Sequence, residues 1–376
     1  MTPSRSGDDR VHFYLPSFAG GGAERIFIRL ANHIVSCGRD VVLVVNQDKG
    51  PLRDLLSGDV TLHVLGAPKA ALALPRLVRY LKTNAPDVLI SALTRSNVTA
   101  LAAARIAGVG TRVVVCERNQ FSTFVREFDP IRQTLLKAAV RFLYPSAYAV
   151  IGNTAEVTRD IVAVANLDGT QAAVIHNPAP DAQQMDAARN SAPDHAWFGE
   201  DRPIAVAIGR LVPQKDYPTM LRAVALSRPD LRLIVLGEGP EKTALEALAR
   251  DLGIDDRVDF SGFRMDRFSY LVRADMFLLS SVTEGFPNAL IEAVTAGVPS
   301  VSTDCAGGGA REIIGEDFPD RIVGVGDAAA MAKVMTSLLE AQDPERVAAD
   351  RNRIASIASR YDIGRIADAF LARAGA

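Results

Sequence analysis

Two successive series of short, β-branched apolar runs, each run followed by a helical pattern, leave this chain few folds to choose from. The first series is VHFYL (11–15), VVLVV (41–45), TLHVL (61–65), DVLI (87–90), RVVVC (112–116), YAVIG (148–152) and AAVI (172–175). Runs that are apolar throughout, rather than alternating, predict parallel strands covered on both faces. Helical patterns at 23–37 (stopped by Gly38), 71–83, 96–107 and 154–165 separate them, as βαβ units with right-handed crossovers require. Residues 1–180 therefore read as a doubly wound α/β domain. The polar stretch at 181–203 lacks strand character and reads as a linker. A second series follows: IAVAIG (204–209), LRLIVLG (231–237), VDFSG (258–262), MFLLSS (276–281), PSVST (299–303) and RIVGV (321–325). A second doubly wound domain is expected over 200–360, and 361–376 reads as a C-terminal helix with the option of packing back on the first domain. A length of 376 residues also exceeds what a single core usually supports. In such folds ligands sit at the carboxyl ends of the strands.

Composition narrows the function. Three cysteines, Cys37, Cys116 and Cys305, are too few and too scattered for a disulfide framework or a zinc site, so all three read as packing thiols in a reducing compartment. The polar start and the lack of any apolar run long enough to span a bilayer point to a cytoplasmic protein. Residues 1–180 carry 20 Lys+Arg against 14 Asp+Glu, whereas 181–376 carry 22 against 30. A basic half beside an acidic one fits docking to an anionic surface, and offsets of this size also arise by chance. No nucleic-acid partner is expected. There is no metalloprotease helix, P-loop, nucleophile elbow or D-x-D pair, so no metal is expected in the site.

The segment EGFPNALIE (284–292) carries the sharpest signal. A strand meets a Gly-Phe-Pro turn and a helix opening near Pro287 and closing at Gly297, with proline suited to a first turn and glycine to a stop. Backbone N–H groups from Gly285 to Asn288, with the helix dipole, favour a phosphate. Glu284 and Glu292 flank that turn, and each carboxylate can accept from two neighbouring hydroxyls; a nucleotide sugar has hydroxyls at both ends and phosphate between. The competing reading makes Glu284 a cap and Glu292 a solvated helix residue. In IAVAIGRLVPQKD the strand ends at Gly209 and delivers Arg210 and Lys215, cations suited to a diphosphate leaving group, or else solvated. Three glycines, Gly20, Gly21 and Gly22, precede the first helix and allow close backbone approach, without the dinucleotide fingerprint. The turn DCAGGGAREII (304–314) either closes over the ligand or is a plain surface turn.

Together these residues resemble glycosyltransferase family 4, over nearly the whole chain. The matching segments run in order: GGGAE (20–24), IGNT (151–154), IHNP (175–178), GRLVPQKD (209–216), LGEGP (236–240), and Glu284 with Glu292. The resemblance implies the GT-B architecture, two facing Rossmann-like doubly wound domains with an interdomain cleft. It implies a retaining, metal-independent transfer of a hexose or N-acetylhexosamine from a UDP-sugar to a lipid-linked saccharide or polysaccharide, with no resident cofactor. Glu284, Arg210 and Lys215 would then be the catalytic group. Gly21, Gly22, Gly209, Gly285, Phe286, Pro287, Asn288, Ala289, Leu290 and Glu292 would bind donor, Glu292 through the ribose hydroxyls. Where many members carry a histidine this chain reads VVVCERNQ, a motif like that of the branch using UDP-N-acetylhexosamines on lipid-linked saccharides. Glu117, Arg118 and Asn119 are the resulting candidates for donor-sugar or acceptor contact. A probable helix bearing Arg132, Leu136, Lys137, Val140, Arg141 and Leu143 either touches the inner face of the plasma membrane as a peripheral contact or is an ordinary helix with a solvated basic side. A nucleotide-sugar epimerase and a non-catalytic glycan-assembly partner are the alternative functions.

Overall fold

The computed structural model describes residues 10–67, 70–340 and 344–376. The chain divides into two units, the residues up to Pro178 together with Ile363–Ala376, and Ala179–Asp362.

The first unit runs β1 (Val11–Leu15), α1 (Gly22–Ser36), β2 (Val41–Val45), β3 (Thr61–Val64), α2 (Ala70–Asn84), β4 (Val88–Ala92), α3 (Thr94–Ala107), β5 (Arg112–Glu117), α4 (Phe121–Phe124), α5 (Pro130–Leu143), β6 (Ala149–Gly152), α6 (Ala155–Ala165) and β7 (Ala172–Val174). Its sheet is parallel, with strand order β3-β2-β1-β4-β5-β6-β7. β1, β2 and β4 are buried along their whole length, as uninterrupted apolar runs predict. The edge strands β3 and β7 differ from that expectation and are largely exposed, because an edge has a neighbour on one side only.

The second unit opens with α7 (Ala182–Asn190), then β8 (Ile204–Ile208), α8 (Tyr217–Leu226), β9 (Arg232–Leu236), α9 (Lys242–Asp251), β10 (Val258–Gly262), α10 (Arg267–Leu271), β11 (Met276–Leu279), α11 (Asn288–Thr295), β12 (Ser300–Thr303), β13 (Ile322–Val323), α12 (Ala328–Glu340) and α13 (Pro344–Ser359). The sheet order is β10-β9-β8-β11-β12-β13. The stretch read as a linker is largely folded. Asp181 caps α7 by accepting from the Gln184 amide at 2.7 Å, and Trp197 and Phe198 pack against the second unit's core. Its polarity hid a helix that buries Met185 and Ala188 and accepts hydrogen bonds at its backbone, such as Arg273 Nη1 donating to the Ala188 carbonyl at 3.2 Å.

In each sheet the order reverses beside the first strand, between β1 and β4 and between β8 and β11. A crevice opens at the carboxyl ends of such a pair, since the following loops diverge to opposite faces. The turns after β1, β4 and β5 gather at that end of the first sheet, and those after β8, β11 and β12 at that end of the second.

The chain returns to the first unit as α14 (Ile363–Ala374). Its Phe370 is fully buried and meets Phe27 of α1 edge-on at 6.1 Å, while Phe27 meets Phe13 of β1 at 5.6 Å. Cys116 and Cys305 are buried, as expected of packing thiols, but Cys37 is exposed at the end of α1, where the helix stops and its side chain meets His33 Nε2 at 3.7 Å. Because Phe370 has no solvent exposure, Phe370→Ala should destabilise the first unit by about 3–5 kcal/mol in urea unfolding. A loss under about 1 kcal/mol would show that α14 is not part of that core.

Candidate active site

In the second unit, the loop after β8 turns through Pro213–Lys215 in a single helical turn and ends at Asp216, a left-handed residue at φ 44°. Asp216 caps α8, its Oδ2 accepting from Thr219 Oγ1 at 2.6 Å. That cap fixes the preceding Lys215, whose ammonium donates to Glu284 Oε1. Ser281 Oγ donates to the same oxygen at 3.0 Å. The Lys215 and Glu284 side chains are only 19% and 13% exposed, so neither charge would be stable there alone. Arg210 stands exposed on the same loop and makes no ion pair among the described residues.

The Glu284 turn is held from two sides. On one, the Val282 amide donates to the Gln214 carbonyl at 2.9 Å and Gln214 Nε2 to the Thr283 carbonyl at 2.8 Å. On the other, the Glu284 amide donates to the Ala306 carbonyl at 2.8 Å, and Thr303 Oγ1 to the Ser281 carbonyl at 2.6 Å. A Cβ on Gly307 would lie 1.8 Å from the Glu284 carbonyl oxygen, and one on Gly309 2.0 Å from that of Gly285. Gly307 also has φ +98°. Gly307 and Gly309 are therefore needed for backbone contact with the Glu284 turn, and the plain-surface-turn alternative falls. Burial next to Glu284 pushes the Cys305 thiol up to about 12.

Beyond the turn, Pro287 precedes α11 with no side-chain cap, so the first turn of the helix presents backbone. Gly285 is buried beside it, and Asn288 and Ala289 are half-buried. The side chains of Phe286 and Leu290 point into the core, Phe286 meeting Tyr361 edge-on at 5.1 Å, so these two can offer a ligand only their main chain. Glu292, one turn along α11, is gripped by Arg267, whose Nε and Nη2 donate to Oε2 and Oε1 at 2.8 and 2.7 Å. Arg267 lies 25 positions upstream on another element and no periodicity announces it.

In the first unit, a cavity of about 500 Å³ opens at the carboxyl ends of β4 and β5, lined by Leu93, Thr94 and Arg95, by Glu117, Arg118 and Asn119, and by Phe124, Glu127 and Phe128. Leu93 sits at φ 74°, a strained setting for a branched residue at the start of α3. Arg95 lies over the Phe128 ring at 4.7 Å, and Asn119 is exposed. Glu117 is buried and held by three donors: Thr94 Oγ1 donates to Oε2 at 2.8 Å, Asn97 Nδ2 to Oε1 at 3.0 Å, and the Tyr144 hydroxyl also to Oε1. Burial raises the Glu117 carboxyl above its ordinary range, against the opposing pull of those donors. Asn97 and Tyr144 escaped the sequence reading, being 20 and 27 positions away on separate helical elements.

Arg118 turns its guanidinium inward, 4.7 Å from the Phe27 ring centre and 5.7 Å from that of Phe370, with Nη1 donating to Asn177 Oδ1 at 2.9 Å. The Asn153 amide donates to the Arg118 carbonyl at 3.0 Å. The asparagines of IGNT and IHNP thus both serve Arg118. At the glycine turn, Gly21 precedes α1 and Gly22 opens it, both exposed. A Cβ on Gly21 would meet Glu24 Oε2 at 2.3 Å, so the buried Glu24 carboxyl folds back beneath the turn.

Residues 21–178 match the family described as glycosyl transferase 4-like domain, and 192–356 match glycosyl transferases group 1. The chain is 28% identical over 378 residues to the Campylobacter jejuni N-acetylgalactosamine-N,N'-diacetylbacillosaminyl-diphospho-undecaprenol 4-alpha-N-acetylgalactosaminyltransferase, covering 95% of this chain and 97% of that one. It is 26% identical to the Rhizobium meliloti lipopolysaccharide core biosynthesis glycosyltransferase LpsE, covering 96% and 97%. Among solved structures, Anabaena HepE in complex with UDP and glucose superposes with a TM-score of 0.77 at 19% identity, over 96% of this chain and 97% of that one. With one matched domain in each doubly wound unit and full-length relatives that are sugar transferases, this chain belongs to the group 1, family 4-like glycosyltransferases and has the GT-B fold.

Proposed function

We propose that the enzyme transfers a hexose or N-acetylhexosamine from a UDP-sugar to a lipid-linked saccharide or polysaccharide, with retention and without a metal ion. The observation that carries this reading is the Lys215–Glu284 pair, clamped between the loops after β8 and β12 beside the uncapped start of α11. A lysine ammonium has three donors, so Lys215 can hold Glu284 and still reach a diphosphate oxygen, with Arg210 as the second cation. The amides opening α11 take phosphate, and Glu292 takes the ribose hydroxyls. Glu284 accepts from hydroxyls of the transferred sugar and orients it. As the bond from the anomeric carbon to the diphosphate oxygen breaks, a bond to the acceptor oxygen forms on the same face, and a diphosphate oxygen takes the acceptor proton. The first unit's cavity, with Arg95, Asn119 and two phenylalanine rings, suits a saccharide. The UDP complexes of Anabaena HepE and the lipid diphosphate in the name of the Campylobacter relative support donor and acceptor class.

In a panel of UDP- and GDP-sugars, UDP-sugars should be hydrolysed or transferred, and Glu284→Gln should lower kcat by roughly 100-fold or more with its melting temperature checked. No response to any donor would sink the proposal, while an isomerised nucleotide sugar formed without acceptor would make the protein an epimerase.

For the acceptor's lipid, we assign α5 as a contact with an anionic membrane on the cytoplasmic face. Leu136 packs inward with Val140 and Leu143. It is Ile131, Leu135 and Phe142, 73%, 64% and 65% exposed, that align at i, i+4 and i+11 on the open face. Arg132, Lys137 and Arg141 are exposed on the same helix. No described helix is long and apolar enough to cross a membrane. Each cation near an anionic surface contributes about 1 kcal/mol. Sedimentation with phosphatidylglycerol vesicles should therefore show binding that weakens at least about tenfold in a Leu135→Ser, Phe142→Ser variant and at high salt. Equal partitioning of both proteins, or none, overturns the assignment.

A further inference from the structure

Glu292 has no hydrogen-bonding side-chain partner but Arg267 among the described residues, and the grip is side-on, one nitrogen to each carboxylate oxygen. Both side chains are nearly buried, at 11% and 12% exposure, so the small open part of the carboxylate is where a ligand must meet it. Each carboxylate oxygen has two lone-pair directions. The Arg267 fork takes the inner, roughly parallel one on each and leaves the outer one on each; these diverge, so a ligand hydroxyl meets one oxygen at a time.

Arg267 is itself held. It opens α10, whose Ser269, Tyr270 and Leu271 are fully or nearly fully buried, with Ser269 Oγ donating to the Asp266 carbonyl at 2.7 Å. The guanidinium lies 4.4 Å from the ring centre of Phe268. The fork thus ties the loop after the edge strand β10 to the helix that opens on the donor turn, and it fixes the rotation of the Glu292 carboxylate. A lysine would supply charge without that rotation, being a point donor rather than a planar fork.

We infer that Arg267 is a positioning residue for the sugar nucleotide: it acts through Glu292, presetting the rotation of the carboxylate so that a free outer lone pair accepts from the ribose 2′-hydroxyl, and so selecting a ribonucleotide over its 2′-deoxy counterpart. This rests on the reading that Glu292 binds the ribose. Arg267 touches no substrate atom, and its effect falls on donor binding rather than on the step at the anomeric carbon.

The test measures dissociation constants of UDP and 2′-deoxy-UDP by calorimetry for the wild-type chain, Arg267→Lys and Arg267→Gln, with melting temperatures alongside. Two variants are used because removal of a buried pair's partner can unfold a protein, and lysine keeps the charge. The wild type should prefer UDP by roughly 10- to 100-fold, the range of hydrogen bonds to charged groups. Arg267→Lys should weaken UDP by about tenfold and 2′-deoxy-UDP much less, so that the preference shrinks toward unity. With a transferable donor, KM should rise while kcat stays near wild type. An unchanged preference, whether both nucleotides weaken alike or neither weakens, overturns the role of Arg267. A wild-type chain that binds UDP without any preference overturns the ribose reading of Glu292 instead, a separate failure.

Discussion

A carboxylate held almost out of water at the end of β11 is the constraint around which the second unit is organised. An ammonium and a hydroxyl both meet one oxygen of Glu284 and hold the side chain in place. The ammonium arrives there only because Asp216 stops one helical turn and caps the next. The turn carrying Glu284 stays in place because two neighbouring loops hydrogen-bond its backbone, and one of them comes so near that no side chain fits at 307 or 309. Strand order, glycine placement and helix capping all serve the same few atoms.

The first unit solves the burial of charge in two other ways. Glu117 is held by three donors from α3 and the turn after α5, which makes it part of the wall of the cavity more than a free reagent. Arg118, its neighbour, lies over aromatic rings with one amide acceptor, and among the described residues its Nε and Nη2 find no hydrogen-bond partner. Burial accordingly pulls the Arg118 pKa below its ordinary value. A cation on aromatic faces is attracted by ring quadrupoles and needs fewer hydrogen bonds than one in plain hydrocarbon.

Much of this was legible in the sequence, for identifiable reasons. Fully apolar strands and glycine stops announced both sheets, and the Glu284 turn announced itself through Pro287 and two spaced glutamates. Pairings were not legible: Lys215 and Glu284 are 69 positions apart, and Arg267 meets Glu292 across 25. Side-chain direction was also hidden. Phe286 and Leu290 lie within the motif yet face the core, Arg118 turns inward, and α5 carries apolar residues on both faces, so pattern alone named Leu136, Val140 and Leu143 where Ile131, Leu135 and Phe142 are outermost. Direction depends on what packs above an element, which periodicity does not encode.

The return of α14 to the first unit has a consequence in time. During synthesis the ribosome finishes β7 long before it makes Phe370, and every residue of Ala179–Asp362 intervenes. At roughly 5–20 residues per second that delay is on the order of 10–40 s. Throughout it, Phe27 and the inward guanidinium of Arg118 lack the aromatic lid that closes over them. The unit begun first is thus completed last, and the second unit has time to fold before the first is sealed.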